Sequence, residues 1–362
     1  MNDLHEVVRG AIPPAVTVRL GLLLLIVGLA GCAGTPVASQ TSADTSGAAV
    51  RVHYPAGFGH RITLHCSGDW NAPVATTWTD GDVWVATVAS GNTCKPLLDD
   101  QTWSIGPNYA TGDIWPHFAH AHGSYRRSEL AGRGVWIYAP PSYDENPRQT
   151  YPVVYMHDGQ NLFDDSASFG GVSWNVGGAM DDGVTAGTIP EALVIGIEND
   201  ADRIGEYTPV ADPDDGGGNA DVYLAFLITK LKPAVDTQWR TQPDAAHTAL
   251  VGSSLGGLVS LYAGLRHADT FSLIGALSPS TWWDNTWIIG QSQAATPRIH
   301  RLYLDSGNAG TSNDDVTNTA TLASVWKTKS GVDVDYLVED GASHSERYWR
   351  TRVPDALAFL LH

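Results

Sequence analysis

The chain of 362 residues is long enough for two or three domains and a sizeable apolar core. Hydrophobic residues make up 43% of it and charged residues only 17%, which is typical of a globular protein and excludes a disordered or fibrous one. The net charge of −18 at pH 7 argues against a nucleic-acid partner and against electrostatic docking on anionic lipid.

The first 31 residues have the pattern of an export signal. Arg9 and Arg19 precede an uncharged run over 20–31, which is shorter than the roughly 17–25 residues of a spanning helix. The run ends in the Leu-Ala-Gly-Cys of 29–32, which resembles a bacterial lipobox, a signal cleaved before a cysteine that is then lipidated. We therefore expect an exported bacterial lipoprotein of the cell envelope, on the periplasmic or outer-membrane side, attached to the membrane only by lipid on Cys32. An ordinary cleaved signal is the alternative.

A tether and a small β domain follow the signal. Residues 32–49 are mostly Ala, Gly, Ser, Thr and Pro, a composition typical of flexible linkers. From 50 to 114, short β-like runs such as Val83–Val88 are separated by Gly, Asn, Asp and Pro, which predicts a β-sandwich. An exported compartment permits disulfides, so Cys66 and Cys94 are predicted to pair; two buried free thiols are the alternative.

Residues 115–362 alternate between strand and helix patterns. The predicted strands are Gly134–Tyr138, Val153–Met156, Ala192–Ile197, Thr248–Val251, Leu273–Leu277, Leu302–Leu304 and Val332–Val338. The predicted helices are Val222–Leu231, Leu255–Arg266, Asn318–Lys327 and Arg347–Leu361. This alternation predicts an α/β domain whose sheet is covered by helices on both faces.

The pentapeptide Gly252–Gly256 has the form G-x-S-x-G, with Ser254 at its centre. It joins a predicted apolar strand to a predicted helix, which is the setting of a nucleophile elbow. Glycines are expected on both sides of the serine because such a sharp turn leaves no room for side chains. Ser254 is therefore the predicted nucleophile; a glycine-rich packing turn is the alternative.

A serine hydroxyl is a poor nucleophile unless a base removes its proton. His344 follows the last predicted strand, which is where this architecture places the base. The acid that orients the base should follow the preceding strand, in the chain order Ser, Asp, His. Asp305, Asp314 and Asp315 all satisfy that condition, so the spacing leaves the three open.

The segment Tyr155–Phe163 resembles the YMHDGQNLF signature of the "putative esterase" family of α/β-hydrolases. That family includes enterochelin-esterase-like proteins, feruloyl and acetyl xylan esterases, esterase D and mycolyltransferases. Further resembling segments occur in order; they are Arg203 with Glu206–Pro209, Lys232-Pro233, Trp239–Thr241, Gly252–Gly257, Ser278–Ser280 with Trp282–Asp284, and His344–Glu346 with Trp349-Arg350. Lys95–Asp100 resembles the end of a β-sandwich that often precedes the catalytic domain. The resemblance implies an α/β-hydrolase fold with a small N-terminal β-sandwich.

The resemblance also implies the roles of individual residues. It implies a triad of Ser254, His344 and Asp314, because the acid of relatives usually follows the strand's glycine by several residues. The loop after Gly307 is longer here than in many members, which keeps Asp315 and Asp305 as alternatives.

The remaining site residues are implied in the same way. The backbone N–H groups of Gln160 and Leu255 would form the oxyanion hole. The residues implied to line the substrate cleft are Trp174, Arg203, Glu206, Trp282 and Trp283.

These features predict a serine carboxylic-ester hydrolase that forms an acyl-enzyme, acting on a small-molecule or carbohydrate ester such as an acyl ester of a sugar or a siderophore-like compound. No cofactor is expected. No metal is expected either, because the histidines at 117, 120 and 122 lack a supporting carboxylate spacing. One alternative is a non-catalytic lipoprotein that binds polysaccharide through Trp70, Trp78 and Trp84. Another is an acyltransferase that uses the same triad.

Overall fold

A computed structural model describes residues 47–57 and 59–362, which fall in one compact unit. The predicted signal over 1–31, the predicted lipidation site Cys32 and most of the predicted tether lie outside the described residues. The first described strand begins at Gly47, three residues before the predicted domain boundary at Val50. Within the described ranges, no helix is long and apolar enough to cross a membrane.

The N-terminal part consists of two four-stranded sheets. Its strands are β1 Gly47–His53, β2 Ile62–Cys66, β3 Asp69–Ala75, β4 Thr77–Thr79, β5 Val83–Ala89, β6 Cys94–Leu98, β7 Thr102–Trp103 and β8 Gly112–Ile114. One sheet has the order β4-β5-β1-β8 and the other has the order β3-β2-β6-β7. This is the architecture that the alternating sequence pattern predicts.

Alternation along the strands supplies the apolar layer of this part of the chain. Val50 and Val52 of β1 and Ile62 and Leu64 of β2 are fully buried in one shared cluster. Trp84 on β5 belongs to the same cluster and is only 3% exposed, so it is not available for stacking on a sugar.

The two remaining cysteines of the β-sandwich face each other across neighbouring strands. Cys66 ends β2 and Cys94 begins β6, and the two are directly opposite in the antiparallel register. A disulfide joins them, as the predicted pairing requires. It closes a loop with a sequence separation of 28 residues, and this constraint on the unfolded chain stabilises a domain with a small core.

The C-terminal part is built on an eight-stranded sheet. The strands after the sandwich are β9 Ser124–Leu130, β10 Arg133–Ala139, β11 Val153–His157, β12 Leu193–Ile197, β13 Ala211–Asp212, β14 Gly216–Gly217, β15 Thr248–Ser253, β16 Leu273–Leu277, β17 Arg301–Gly307 and β18 Asp333–Glu339. The sheet order is β18-β17-β16-β15-β11-β12-β10-β9, while β13 and β14 form a separate short hairpin. The six strands β18, β17, β16, β15, β11 and β12, which are neighbours in this order, pair in parallel. Strand β10 is antiparallel to both of its neighbours, β12 and β9.

Helices cover both faces of this sheet. They are α1 Val176–Ala186, α2 Arg203–Tyr207, α3 Ala220–Phe226, α4 Lys232–Gln238, α5 Leu255–Arg266, α6 Trp283–Ala294, α7 Val316–Lys327 and α8 Glu346–Leu361. Apolar residues of α1 and α8 pack on one face, and those of α3, α5, α6 and α7 pack on the other. In β11, Val153 and Tyr155 belong to one cluster while Val154 and Met156 belong to the other, which explains why the central strands are buried at every position.

Strand β9 and helix α1 are not predicted from the sequence pattern, and each has a physical reason for its weak pattern. Strand β9 lies at the sheet edge and its residues are mostly exposed, so it lacks an apolar run. Helix α1 contains Gly177, Gly178 and Gly183, which have low intrinsic helix propensity. Tertiary packing of its buried Val176 and Met180 holds it in place.

Candidate active site

The predicted nucleophile occupies a sharp turn between β15 and α5. Ser254 has φ 55° and ψ −125°, a conformation that costs a non-glycine residue about 1–3 kcal/mol. A Cβ added to Gly252 would lie 2.6 Å from the carbonyl carbon of Gly256, which explains the glycine before the turn. The Ser254 N–H donates to the Leu277 carbonyl at 3.0 Å, which ties the turn to β16.

The predicted base and one of the three candidate acids are in contact. The Nδ1 atom of His344 lies 2.5 Å from Oδ1 of Asp314. The second carboxylate oxygen, Oδ2, accepts hydrogen bonds from the Ser278 hydroxyl at 2.6 Å and from the Gly307 N–H at 2.5 Å. Burial by itself would raise the pKa of Asp314, but the hydrogen bonds from His344, Ser278 and Gly307 outweigh burial and hold the pKa below its usual value.

The other two candidate acids have different partners. Asp305 is fully buried in β17, where it accepts from the Ser278 N–H at 2.9 Å and lies 3.3 Å from Nη1 of Arg352. Asp315 accepts from the Thr281 hydroxyl and from Nδ2 of Asn318. Of the three aspartates, the structure brings Asp314 to the His344 ring.

A cavity of about 600 Å³ lies at the carboxyl ends of the parallel strands. Ser254 and His344 both line it, together with Asp158, Gln160, Asn161, Ala167, Ser168, Phe169, Asn199, Arg203, Ser253, Glu346 and Trp349. Among the described residues, the side-chain hydrogen bond of Ser254 Oγ is to the Ser280 Oγ, at 3.3 Å, and not to the His344 ring. In ligand-free sites such catalytic contacts are often long and tighten when the substrate is bound.

The two predicted oxyanion donors lie on different segments beside this cavity. Leu255 is the first residue of α5, so its N–H has no intrahelical acceptor and lies at the positive end of the helix dipole. Gln160 lies in the single 3-10 turn Gly159–Asn161 that follows β11, and its side chain lines the cavity. The structure thus places Leu255 in the serine turn and Gln160 at the cavity.

A bidentate ion pair holds the turn that carries Gln160. The Nε and Nη2 atoms of Arg203 each donate at 2.8 Å to one oxygen of Asp158. The Asp158 side chain is buried, and Asn199 Nδ2 adds a third hydrogen bond at 2.5 Å. Because Asp158 immediately precedes the 3-10 turn, these contacts fix the backbone direction at Gln160. Arg203 is the predicted cleft residue that the structure brings to the cavity.

The other predicted cleft residues lie outside the described lining of the cavity. Glu206 pairs instead with Arg133, at 2.9 and 2.5 Å, beside a different cavity. Trp174 is buried against Trp349, with their ring centroids 5.7 Å apart.

The tryptophan pair after Ser280 is divided between core and surface. Trp283 is buried and donates its indole N–H to the Val210 carbonyl at 2.9 Å. Trp282 is 47% exposed on the loop that also carries Ser280. An aromatic residue type in the sequence therefore does not by itself distinguish a residue that lines the cavity from a residue of the core.

The sequence analysis assigned no role to several lining residues, among them Phe169 and Glu346. Phe169 is 75% exposed and belongs to a glycine-containing turn, and an aromatic residue in such a turn is the signal that could have indicated it. Glu346 begins α8 two residues after His344. Burial, and to a lesser degree the Asp158 carboxylate, raises the pKa of Glu346. No group of three or more potential metal ligands occurs within the described residues.

A serine on a strained strand-to-helix turn, in a mostly parallel sheet with helices on both faces, defines the α/β-hydrolase class. A family model described as "Putative esterase" matches residues 131–360. The chain therefore belongs to the putative esterase family, and it is a carboxylic ester hydrolase.

Individual relatives agree with this membership. The chain is 27% identical over 253 residues to the uncharacterized protein YbbA of Bacillus subtilis, covering 66% of this chain and 96% of the relative. It is 31% identical over 152 residues to the siderophore triacetylfusarinine C esterase of Aspergillus fumigatus, covering 41% of this chain and 50% of the relative. The matched part thus spans only half the length of that esterase.

Solved structures have the same fold. An IroE-like serine hydrolase of Shewanella oneidensis superposes with a TM-score of 0.53 at 24% identity, covering 66% of this chain and 80% of the other. Ferric enterobactin esterase of Salmonella typhimurium superposes with a TM-score of 0.51 at 18% identity, covering 86% and 92%. These similarities confirm the predicted α/β-hydrolase fold.

The buried Asp305 carboxyl generates a prediction about stability and pH. Burial raises its pKa to about 7, and the Arg352 guanidinium and the Ser278 N–H only partly offset burial. The folded state therefore keeps a proton on Asp305 at pH values where the unfolded chain has lost it. This proton contributes stability at low pH, and the contribution is lost as the pH rises from about 4 towards about 7.

We expect the free energy of unfolding of the wild type, minus that of Asp305→Asn, to decrease over this pH range and to level off above it. Urea unfolding at a series of pH values measures the difference, and the subtraction cancels the titration of the other groups. A difference that stays constant from pH 4 to pH 8 would contradict the raised pKa.

Proposed function

We propose that the protein hydrolyses its ester through an acyl-enzyme on Ser254, with His344 as general base and acid and Asp314 as the orienting carboxylate. The observation that carries this proposal is the 2.5 Å contact between His344 Nδ1 and Asp314 Oδ1 beside the cavity that Ser254 lines. A carboxylate on Nδ1 holds the proton there, so Nε2 remains free to accept a proton from the serine.

The first half of the reaction forms the acyl-enzyme. Ser254 Oγ attacks the ester carbonyl carbon as its proton passes to His344 Nε2. The tetrahedral oxyanion accepts hydrogen bonds from the N–H groups of Gln160 and Leu255. The intermediate then breaks its bond to the alcohol oxygen, which leaves with the proton held by His344.

The second half releases the acid. Water attacks the acyl carbon, transfers one proton to His344 Nε2 and forms a second oxyanion in the same place. The bond to Ser254 Oγ breaks, Ser254 recovers its proton from His344, and the carboxylic acid departs. Asp314 remains ionised throughout, which its lowered pKa supports, and stabilises the imidazolium at each tetrahedral stage.

The triad generates a prediction about labelling and turnover. Ser254→Ala should abolish covalent labelling by a fluorophosphonate and reduce kcat on the order of 10⁶-fold. Asp314→Asn should reduce kcat on the order of 10⁴-fold, because the amide favours the wrong histidine tautomer. Gel detection of the fluorophosphonate and turnover of an aryl ester provide the two measurements.

Asp315→Asn is the matched control, since its side chain is adjacent in sequence and bonds to Thr281 and Asn318 instead. It should keep turnover within a few-fold of the wild type. Labelling that persists in Ser254→Ala would contradict the nucleophile, and near-normal turnover by Asp314→Asn would contradict the acid.

The lining of the cavity supports a preference for a neutral ester with an apolar planar group. Arg203 lines the cavity but is already paired with Asp158, so the described lining offers no unpaired Arg or Lys to an anionic substrate. A neutral ester needs no such cation. Phe169 offers the exposed face on which a planar group can pack.

The substrate prediction uses a panel of esters. Relatives of the chain include siderophore esterases and an endo-1,4-beta-xylanase/feruloyl esterase, so the panel should contain siderophore, feruloyl and acetyl-sugar esters with a short-chain aryl ester. We expect neutral aromatic esters to give the highest kcat/KM. Phe169→Ala should lower this value by about 2- to 10-fold, the loss of one aromatic contact.

Trp70→Ala is the control for this panel, because Trp70 is an exposed aromatic residue of the β-sandwich. It should leave kcat/KM unchanged for every ester. A preference for an anionic siderophore ester, unaltered by Phe169→Ala, would contradict the proposed specificity.

We also propose that the mature protein is exported and attached to the cell envelope by lipid on Cys32, on the evidence of the Leu-Ala-Gly-Cys segment. In a bacterial host, wild-type protein should incorporate radiolabelled palmitate and fractionate with membranes. Cys32→Ser should remain unlabelled, whereas Cys66→Ser should still be labelled. Equal labelling of wild type and Cys32→Ser would contradict the anchor.

A further inference from the structure

A single buried hydroxyl connects helix α8 to the Asp314 carboxylate. Ser278 directly follows β16, at φ 41°, and is 1% exposed. Its Oγ lies 2.6 Å from Asp314 Oδ2, 3.0 Å from the indole nitrogen of Trp349 and 2.9 Å from Nη2 of Arg352. Trp349 and Arg352 are three residues apart on α8, so both reach Ser278 from one side of that helix.

The chemistry of the partners fixes the direction of these hydrogen bonds. An indole N–H and a guanidinium can only donate, whereas a serine hydroxyl has one proton and two lone pairs. Trp349 and Arg352 occupy both lone pairs of Ser278 Oγ. The remaining proton must therefore be donated to Asp314, which as a carboxylate can only accept.

This donation helps to fix the plane of the Asp314 carboxylate. One oxygen, Oδ2, accepts from the Ser278 hydroxyl and the Gly307 N–H, so the other, Oδ1, is left for Nδ1 of His344. Turning the carboxylate out of this plane about its Cβ–Cγ bond would break two hydrogen bonds of a buried group. The orientation of the imidazole therefore depends on Ser278.

Arg352 also has ionic contacts with three carboxylates of this region. It is 2% exposed, with Nη1 at 3.3 Å from Asp305 Oδ1 and Nε at 3.4 Å from Glu339 Oε2. Its Nη1 also lies 3.8 Å from Asp314 Oδ2. The guanidinium thus lies between two buried aspartates while it donates to Ser278.

We propose that Ser278 and Arg352 are positioning residues for ester hydrolysis: Arg352, with Trp349, directs the Ser278 proton to Asp314, and Ser278 holds that carboxylate in the rotation that orients His344. The inference rests on the proposed triad, but neither residue touches the reacting atoms. Ser278 and Arg352 act on kcat through the Asp314–His344 hydrogen bond.

The test is Ser278→Ala, compared with the wild type on an aryl ester. We expect kcat to fall by about 10- to 100-fold, as when an outer-shell partner of a catalytic group is removed, with KM unchanged. The His344 Nδ1 proton, the most downfield signal of the proton NMR spectrum in a short carboxylate–imidazole contact, should move upfield or broaden. Ser278→Cys keeps a weak donor, so its kcat should lie between that of the wild type and that of Ser278→Ala.

The control is Ser272→Ala. Ser272 is another 1%-exposed serine, at the opposite end of β16, and its hydroxyl donates to the Ala245 carbonyl at 2.6 Å. The Ser272→Ala variant should lower the unfolding midpoint about as much as Ser278→Ala does, while its kcat and its downfield signal remain those of the wild type. A purely structural role for Ser278 would make the two serine variants alike.

The role of Arg352 is tested without leaving a buried charge unpaired. The double variant Asp305→Asn with Arg352→Gln removes both charges, and it should lower kcat while adding Ser278→Ala to it causes little further loss. Losses that simply multiply would show that Arg352 does not act through Ser278.

The outcomes separate this proposal from the proposed function. If Ser254→Ala still reacts with the fluorophosphonate, the triad itself is wrong. If labelling requires Ser254 but Ser278→Ala and Ser278→Cys keep the wild-type kcat and downfield signal, the triad stands and the positioning role is wrong.

Discussion

The buried Asp314 carboxylate is the constraint on which the site depends. An ionised carboxylate removed from water is stable only if hydrogen bonds replace its hydration. Three donors do so here: the Ser278 hydroxyl and the His344 ring, each 30 or more residues away in the chain, and the nearby Gly307 N–H. The same contacts that keep the charge in the interior also hold the imidazole towards the cavity, so the stability of this region and the geometry of the site have one origin.

The parallel sheet makes that convergence possible. The carboxyl ends of parallel strands meet at one edge, which brings together segments that are far apart in sequence. Several non-glycine residues there have positive φ, among them Asp158, Ser254, Ser278 and Asp314, and each costs about 1–3 kcal/mol. Strain of this kind persists only where the surroundings determine it, and two apolar clusters, one on each sheet face, provide the rigid support.

Charge is distributed unevenly between the whole molecule and its site. The chain as a whole has a net charge of −18, whereas Asp158 and Asp314 inside the site have specific donors or cations as partners. Arg203 neutralises Asp158 beside the 3-10 turn that carries Gln160, and Arg352 lies between Asp305 and Asp314. Glu346 departs from this pattern, because no cation lies within 4 Å of it among the residues described and burial raises its pKa.

The sequence by itself determined the fold class, the serine turn and the position of the histidine, because each of these depends on local pattern: apolar strands, flanking glycines and chain order. The family resemblance favoured Asp314, but local pattern could not separate it from Asp305 and Asp315, since the three are chemically identical and lie within eleven residues of one another; the tertiary structure brings Asp314 to His344. It also placed Glu206 on Arg133, buried Trp174 and Trp283, and brought Phe169 to the cavity. Burial, partners and charge at these positions come from residues 30 or more positions away, such as His344 for Asp314 and Arg133 for Glu206, and no local pattern records those contacts.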